Sequence, residues 1–134
     1  MATTSLHRSY EILVPIEAGG LPGFLELPQP SLGLVLFAHG SGSSRFSRRN
    51  RAVADALNRG GIATLLFDLL MPPEHDIDQR TAEYRFDIPL LTRRLIDAVD
   101  WASADPRTAR LGIGLFGAST GAAAALGAAA ARPR

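Results

Sequence analysis

Hydrophobic and polar positions form blocks along this chain, and the blocks predict strands that alternate with helices. Four short runs rich in apolar residues are typical of strands, and the last three have the continuous apolar character of strands buried on both faces. They are 10–16, 32–38, 62–67 and 111–116. A further strand is expected over 21–27, where Pro22 and Gly23 indicate an edge-like strand in a hairpin with the first.

After the run 32–38, apolar residues recur at helical spacing in the segments between and beyond the apolar runs. A helix is expected over roughly 48–58, with Ser47 as its N-cap and Gly60 and Gly61 at its end. The alanine-rich stretch 120–131 strongly favours a second helix.

Between these two helices the pattern is less regular. The segment 71–78 indicates a polar loop. Helical spacing returns over about 79–104, where Pro89 is expected to divide the stretch into two pieces. The order of elements predicts an α/β protein with a mostly parallel sheet and helices on both faces.

Composition narrows the range of functions. The 134 residues make one domain or part of a larger one, with 46 % apolar and 20 % charged residues. A net charge of +1, with scattered arginines and no lysine, does not suggest a nucleic-acid partner. The lack of cysteine excludes thiol catalysis and cysteine metal sites. Neither a signal peptide nor an apolar run of about 20 residues is evident, so a cytoplasmic protein without a membrane partner is expected.

The stretch from Gly117 to Gly121 reads G-x-S-x-G and predicts a sharp turn between a strand and a helix. Small residues at both glycine positions leave room for Ser119 to project from the strand end as a nucleophile. The amide of Thr120 would then face the oxyanion of an attacked acyl carbonyl. The alternative is an ordinary helix N-cap serine that follows a glycine turn.

Two phosphate-binding patterns are disfavoured. Residues 112–117 match G-x-G-x-x-G, but the first two glycines lie inside the predicted strand and no acidic residue follows Gly117. A Walker A loop needs a lysine, which the chain lacks. Neither a nucleotide nor a metal cofactor is therefore expected.

The loop His39-Gly40-Ser41-Gly42 favours the nucleophile interpretation. Hydrolases with a G-x-S-x-G turn take a second oxyanion amide from the loop after their third strand, often introduced by His-Gly. Here that loop follows the third predicted strand. His39 is expected to orient the loop rather than to act as a base.

The sequence resembles α/β-hydrolases of the dienelactone hydrolase-like group over about two-thirds of the chain. The segments that carry the resemblance are LVLFAHGSGSSRFSRRNRAVADAL, GIATLLFDLL, FDIPLL and LGIGLFGASTGAAAAL. The resemblance implies cofactor-free hydrolysis of an ester, lactone or related acyl substrate, with Ser119 as nucleophile. It also implies oxyanion amides from Thr120 and from Ser41 or Gly42. Dienelactone hydrolases proper use a cysteine nucleophile, which puts that particular substrate in doubt.

The partners of the serine are the open question. This fold places its acid and histidine after the nucleophile, but the fifteen residues after Ser119 include no Asp, Glu or His. The sequence thus predicts a single partial domain over 1–134, with about five N-terminal strands, that ends in or just after the nucleophile helix. His75, with Asp76 or Asp78 nearby, is an alternative base. Asp68, at a strand end, is expected to cap the next loop, with lining of the pocket as the alternative.

Two hypotheses follow. The first is a serine hydrolase that is inactive, or needs completion, because its acid and base are missing. The second is a non-catalytic remnant or interaction module. Its strand 111–116 would be an exposed apolar edge, open to self-association or to a complementing chain.

Overall fold

Five strands and four helices make up the fold in a computed structural model that describes residues 6–17, 19–40, 43–84, 87–117 and 120–132. The strands are β1 (Leu6–Ile16), β2 (Gly19–Gln29), β3 (Leu34–Ala38), β4 (Ala63–Phe67) and β5 (Ile113–Gly117). The helices are α1 (Arg48–Arg59), α2 (Pro72–Thr81), α3 (Ile88–Ala104) and α4 (Thr120–Ala131).

The strands form one mixed sheet in the order β1-β2-β4-β3-β5. β2 pairs antiparallel with β1 and with β4, whereas β3 pairs parallel with β4 and with β5. The parallel part therefore consists of β3, β4 and β5, and the hairpin adds the antiparallel part. This is the α/β class that the sequence predicts, with a larger antiparallel share than expected.

Helices cover both faces of the sheet, as predicted. Alternate residues of a strand point to opposite faces, so Leu36 and Leu65 join the larger core cluster with α3 and α4. Their neighbours Phe37 and Leu66 join a smaller cluster with Ala54 of α1. β3 and β4 are buried on both faces, which explains why their sequences are continuously apolar.

The helix boundaries follow local sequence signals. Ser47 caps α1 as predicted, since its hydroxyl accepts the amide of Asn50 at 3.2 Å. α4 covers 120–131, as expected from its alanine content. Among the described helices, none combines the length and the apolar character that crossing a bilayer requires.

The prediction that β2 is an edge strand is wrong. β2 lies between β1 and β4, although β4 pairs only with Gly23–Glu26. Pro22 lies just beyond that pairing, where its carbonyl still accepts the amide of Asp68 at 2.9 Å. A Cβ on Gly23 would lie 2.9 Å from Cβ of Phe67. The glycine therefore marks a close approach between internal strands rather than an edge.

The polar loop predicted over 71–78 is also wrong, because α2 occupies most of it. Pro72 and Pro73 lie in the first turn of α2, where a helix needs no amide donors. Glu74 then accepts the amide of Met71 at 2.8 Å. The helical stretch expected over 79–104 is divided, but the break lies between α2 and α3 and not at Pro89. Pro89 belongs to the first turn of α3.

Candidate active site

The His39-Gly40 motif and the G-x-S-x-G motif follow two neighbouring strands of the sheet. β3 and β5 are parallel neighbours, and Ala38 pairs in register with Gly117. The His39-Gly40 loop and the turn into α4 therefore leave adjacent strands at their carboxyl ends, where open parallel sheets bind ligands.

Gly117 and Gly121 are required by close backbone approaches. A Cβ on Gly121 would overlap the carbonyl oxygen of Ala38 and lie 2.6 Å from that of His39. A Cβ on Gly117 would overlap the carbonyl oxygen of Gly121. The first turn of α4 thus lies directly against the end of β3, and only glycine fits at either position. The G-x-S-x-G pattern likewise calls for small residues at these two positions.

Several predicted site residues lie outside the part of the chain that the structure describes. They are the nucleophile Ser119 and the candidate oxyanion residues Ser41 and Gly42. Thr120 is the first residue of α4, so its amide belongs to the positive end of that helix. The roles given to these four residues stay predictions.

His39 is buried and both of its ring nitrogens have partners. Nδ1 lies 2.9 Å from the carbonyl oxygen of Gly40, and Nε2 accepts the amide of Leu69 at 2.9 Å. These partners assign the ring proton to Nδ1. Burial lowers the pKa of His39, although the Gly40 hydrogen bond and the charge of Asp68 act in the opposite direction. A neutral ring with both nitrogens engaged suits the predicted role in orienting the loop.

Asp68 follows β4 and receives two hydrogen bonds from Arg45. The Arg45 amide donates to Oδ1 at 2.7 Å, and its guanidinium Nη1 donates to Oδ2 at 2.5 Å. The guanidinium also lies over the rings of Phe24 and Phe46, at 5.1 and 4.3 Å from their centroids. Asp68 therefore caps a loop, but it is the loop that joins β3 to α1 (39–47) rather than the next one along the chain.

A second ion pair lies beside the site and was missed from the sequence. Arg94 of α3 donates to both carboxylate oxygens of Glu74, at 2.7 and 2.8 Å, and to the carbonyl of Leu69 at 3.1 Å. Only 8 % of the Arg94 side chain and 14 % of the Glu74 side chain are exposed. The one sequence feature that pointed to a role for Glu74 is its place at the third position of a helix that starts with proline.

The alternative base, His75, lies in α2. Its Nε2 is 3.2 Å from Nε2 of Gln79, while Asp76 pairs with Arg80. Asp78 is buried and accepts the amide of Tyr84 at 2.8 Å. Within the described part of the chain, His75 thus contacts an amide side chain, whereas a catalytic dyad would pair it with a carboxylate. Within the described ranges, no group of three or more His, Asp or Glu side chains could hold a metal ion.

An open groove of about 900 Å³ runs along β5 and α4. Among the described strands, β5 pairs only with β3, so its other side faces this groove. Leu126 on α4 is 74 % exposed there. The groove is lined by apolar side chains, with an ion pair at its rim. These residues include Leu111, Ile113, Leu115 and Leu126, with Asp100 and Arg132 at the rim.

No protein-family profile matches the chain. Curated proteins from two strains of Mycobacterium tuberculosis, each named "Putative phosphoribosyl transferase", are 55 % identical to it over 119 residues. The match covers 87 % of this chain and 26 % of each relative, so the chain spans about a quarter of their length.

Solved structures are similar over most of the chain. A dienelactone hydrolase from Anabaena variabilis is 53 % identical with a TM-score of 0.93, covering 95 % of this chain and 59 % of that one. Est1E from Butyrivibrio proteoclasticus shares the fold, with a TM-score of 0.72 at 22 % identity over 90 % of this chain and 45 % of its own. Over most of its length the chain therefore has part of the α/β-hydrolase fold, and it is similar to the dienelactone hydrolase from Anabaena variabilis.

Proposed function

We propose that this chain supplies the nucleophile and oxyanion-binding part of a serine hydrolase for carboxylic esters, lactones or related acyl compounds. The observation that carries the proposal is the contact of Gly121 with the end of β3. It brings the first turn of α4, which follows Ser119 in the sequence, against the point where the chain leaves β3 at His39. Amides of Thr120 and of Ser41 or Gly42 would form the oxyanion hole, and no cofactor takes part.

In the proposed reaction, the Ser119 hydroxyl attacks the acyl carbonyl while a base takes its proton. The tetrahedral oxyanion collapses, the base returns its proton to the leaving oxygen, and an acyl-serine remains. Water, deprotonated by the same base, then attacks the acyl-serine, which releases the acid and restores the Ser119 hydroxyl. We propose that the base and its acid come from further strands that add beside β5, in a longer polypeptide or on a separate chain. The similar Anabaena hydrolase has such additional length, since the match covers 59 % of it.

The name of the mycobacterial relatives suggests phosphoribosyl transfer as another activity. That name describes proteins of which this chain matches 26 %, so their transferase activity is not assigned to the matched part. Acyl hydrolysis is favoured because the sequence from Gly117 to Gly121 matches the G-x-S-x-G pattern. A cytoplasmic location remains a prediction from the sequence.

Labelling with a fluorophosphonate tests the proposal. The 134-residue chain alone is expected to react slowly, because a serine without its base retains only the contributions of the oxyanion hole and binding. Mixing it with the part of the Anabaena hydrolase that lies outside the match should speed the labelling. Mass spectrometry should place the adduct on Ser119.

Two variants serve as controls for this experiment. Ser119→Ala should abolish the labelling, whereas Ser9→Ala, on an exposed position of the edge strand β1, should leave it unchanged. A folded chain that stays unlabelled, alone and after mixing, would exclude the hydrolase proposal.

A second candidate function is an interaction module that pairs through the strand 111–116. The groove beside β5 favours it, because an unpaired strand edge flanked by apolar side chains is a template for another strand. The partner would be a second copy of this chain or a complementing chain.

A further inference from the structure

Two consecutive residues at the end of β4 fasten both ends of the β3–α1 loop. At the first end, Nε2 of His39 accepts the amide of Leu69 at 2.9 Å. At the second end, the carboxylate of Asp68 accepts the amide and the guanidinium of Arg45. Between these points, the amide of Ser43 donates to the carbonyl of Gly40 at 3.1 Å.

We infer that Asp68 is a positioning residue, which holds the β3–α1 loop so that its amides can bind the oxyanion. This inference rests on the proposed function for its catalytic meaning. The candidate oxyanion residues, Ser41 and Gly42, lie between the two fastened ends. In this inference Asp68 acts on them through Arg45 and not by contact with the substrate.

The residues to which the loop is fastened are themselves held in place. The amide of Leu69 is bonded to His39, and its carbonyl accepts Nη1 of Arg94 at 3.1 Å. Arg94 is in turn bonded through two nitrogens to Glu74. Asp68 also donates its amide to the carbonyl of Pro22 at 2.9 Å. The end of β4 is thus fixed by β2 on one side and by α2 and α3 on the other.

Polar contacts and one aromatic contact hold the described part of this loop. Phe46 is 52 % exposed, and its ring centroid lies 5.6 Å from that of Phe24 and 4.3 Å from the Arg45 guanidinium. Oxyanion donors act only when they lie within hydrogen-bond distance of the developing charge, and small displacements cost large rate factors. The hydrogen bonds to Asp68 and Leu69 link the described part of the loop to the residues after β4, so the position of the loop should be sensitive to their loss.

Substitutions of Asp68 separate the two bonds that it makes. Asp68→Ala removes the acceptor for both the amide and the guanidinium of Arg45. Asp68→Asn keeps an oxygen that can accept the amide, but loses the charge that pairs with the guanidinium. Asp76 offers a matched control, because it also pairs with an arginine, Arg80, and its side chain is 76 % exposed.

Hydrogen exchange measured by mass spectrometry gives the first readout. In Asp68→Ala, amides of residues 43–47 should exchange about tenfold faster, while those of β3 and α4 keep their protection. In Asp68→Asn, the exchange rates of these amides should lie between those of Asp68→Ala and those of the wild-type chain. In Asp76→Ala, they should equal those of the wild-type chain. Unchanged exchange over 43–47 in Asp68→Ala would overturn the inference, whatever the labelling shows.

The second readout is fluorophosphonate labelling of Ser119 in the same variants. Asp68→Ala should lower the maximal labelling rate about tenfold or more, with little change in the probe concentration for half-maximal rate. Asp68→Asn should recover most of that rate. Faster exchange with an unchanged labelling rate would refute the positioning role. A wild-type chain that never labels would refute the hydrolase proposal instead, and exchange would still decide whether Asp68 holds the loop.

Discussion

At the scale of single residues, Gly117 and Gly121 do more than leave space around a serine. They allow the backbone of α4 to contact the end of β3, which lies far away in the sequence. The pentapeptide pattern predicts small residues at both positions. The identity of the opposing atoms follows only from the pairing of β5 with β3, which local sequence does not encode.

Gly121→Ala should destabilise the protein by at least about 2 kcal/mol, because the new Cβ would overlap the backbone oxygen of Ala38. Alanine would otherwise favour the helix by about 1 kcal/mol, so the clash must reverse the usual sign. Urea unfolding followed by circular dichroism measures the difference.

Gly112 provides the matched control for Gly121. A Cβ there would meet nothing within 4 Å, so Gly112→Ala should leave the free energy of unfolding nearly unchanged. If Gly121→Ala were as stable as Gly112→Ala, the close contact between α4 and β3 would be wrong.

At the scale of secondary-structure elements, α2 shows where sequence patterns mislead. Pro72 and Pro73 suggested a loop, yet proline is well suited to the first turn of a helix. α1 and α4 were predictable because a serine cap and an alanine run act locally. α2 is also held by a tertiary contact, the ion pair of Glu74 with Arg94, and the local pattern around Glu74 does not identify Arg94 as its partner.

Glu74→Gln should lower the free energy of unfolding by about 2–3 kcal/mol at pH 7, because it leaves the buried guanidinium of Arg94 without a counter-charge. Glutamine can still accept the amide of Met71, so the change reports mainly on charge. The surface variant Asp76→Asn should cost less than about 0.5 kcal/mol.

The pH dependence of this difference supplies a further check. Burial raises the pKa of Glu74, but the hydrogen bonds from Arg94 and Met71 and the charge of Arg94 lower it more, so the net pKa is lowered. A lowered pKa means that the stabilisation is complete above the unfolded-state pKa of about 4.3 and is lost as pH falls through the folded-state pKa. The difference in the free energy of unfolding between the wild-type chain and Glu74→Gln should therefore be constant from pH 7 to about pH 5 and shrink in stronger acid. A constant gap throughout would contradict the ion pair.

At the scale of the whole molecule, the sheet has an open side along β5. The sequence predicted an exposed apolar strand over 111–116, and the structure places a groove of about 900 Å³ beside β5. The position of β2 was not predictable, because Pro22 and Gly23 have the same local signature in an edge strand and at a close approach. Which strand pairs with which depends on the packing of all the helices together.

Leu126→Gln should weaken concentration-dependent association through the β5 groove. Leu126 is 74 % exposed and lines that groove, so polarity there should affect a docked chain without affecting the fold. Sedimentation velocity over a range of concentrations gives the measurement. Leu32 is 80 % exposed but does not line the groove, which makes Leu32→Gln the control. Equal association of both variants and the wild-type chain would argue against the groove as an interface.

The long hairpin of β1 and β2 also has a kinetic consequence. Its two strands of 11 residues pair along their whole length across a very short connection, so their contacts are close in sequence. The parallel pairs of β3 with β4 and with β5 must instead wait for long intervening segments to close. We expect the hairpin to be the earliest ordered part of the sheet during refolding. The carboxyl ends of β3 and β5, where the candidate active site lies, would then be assembled last.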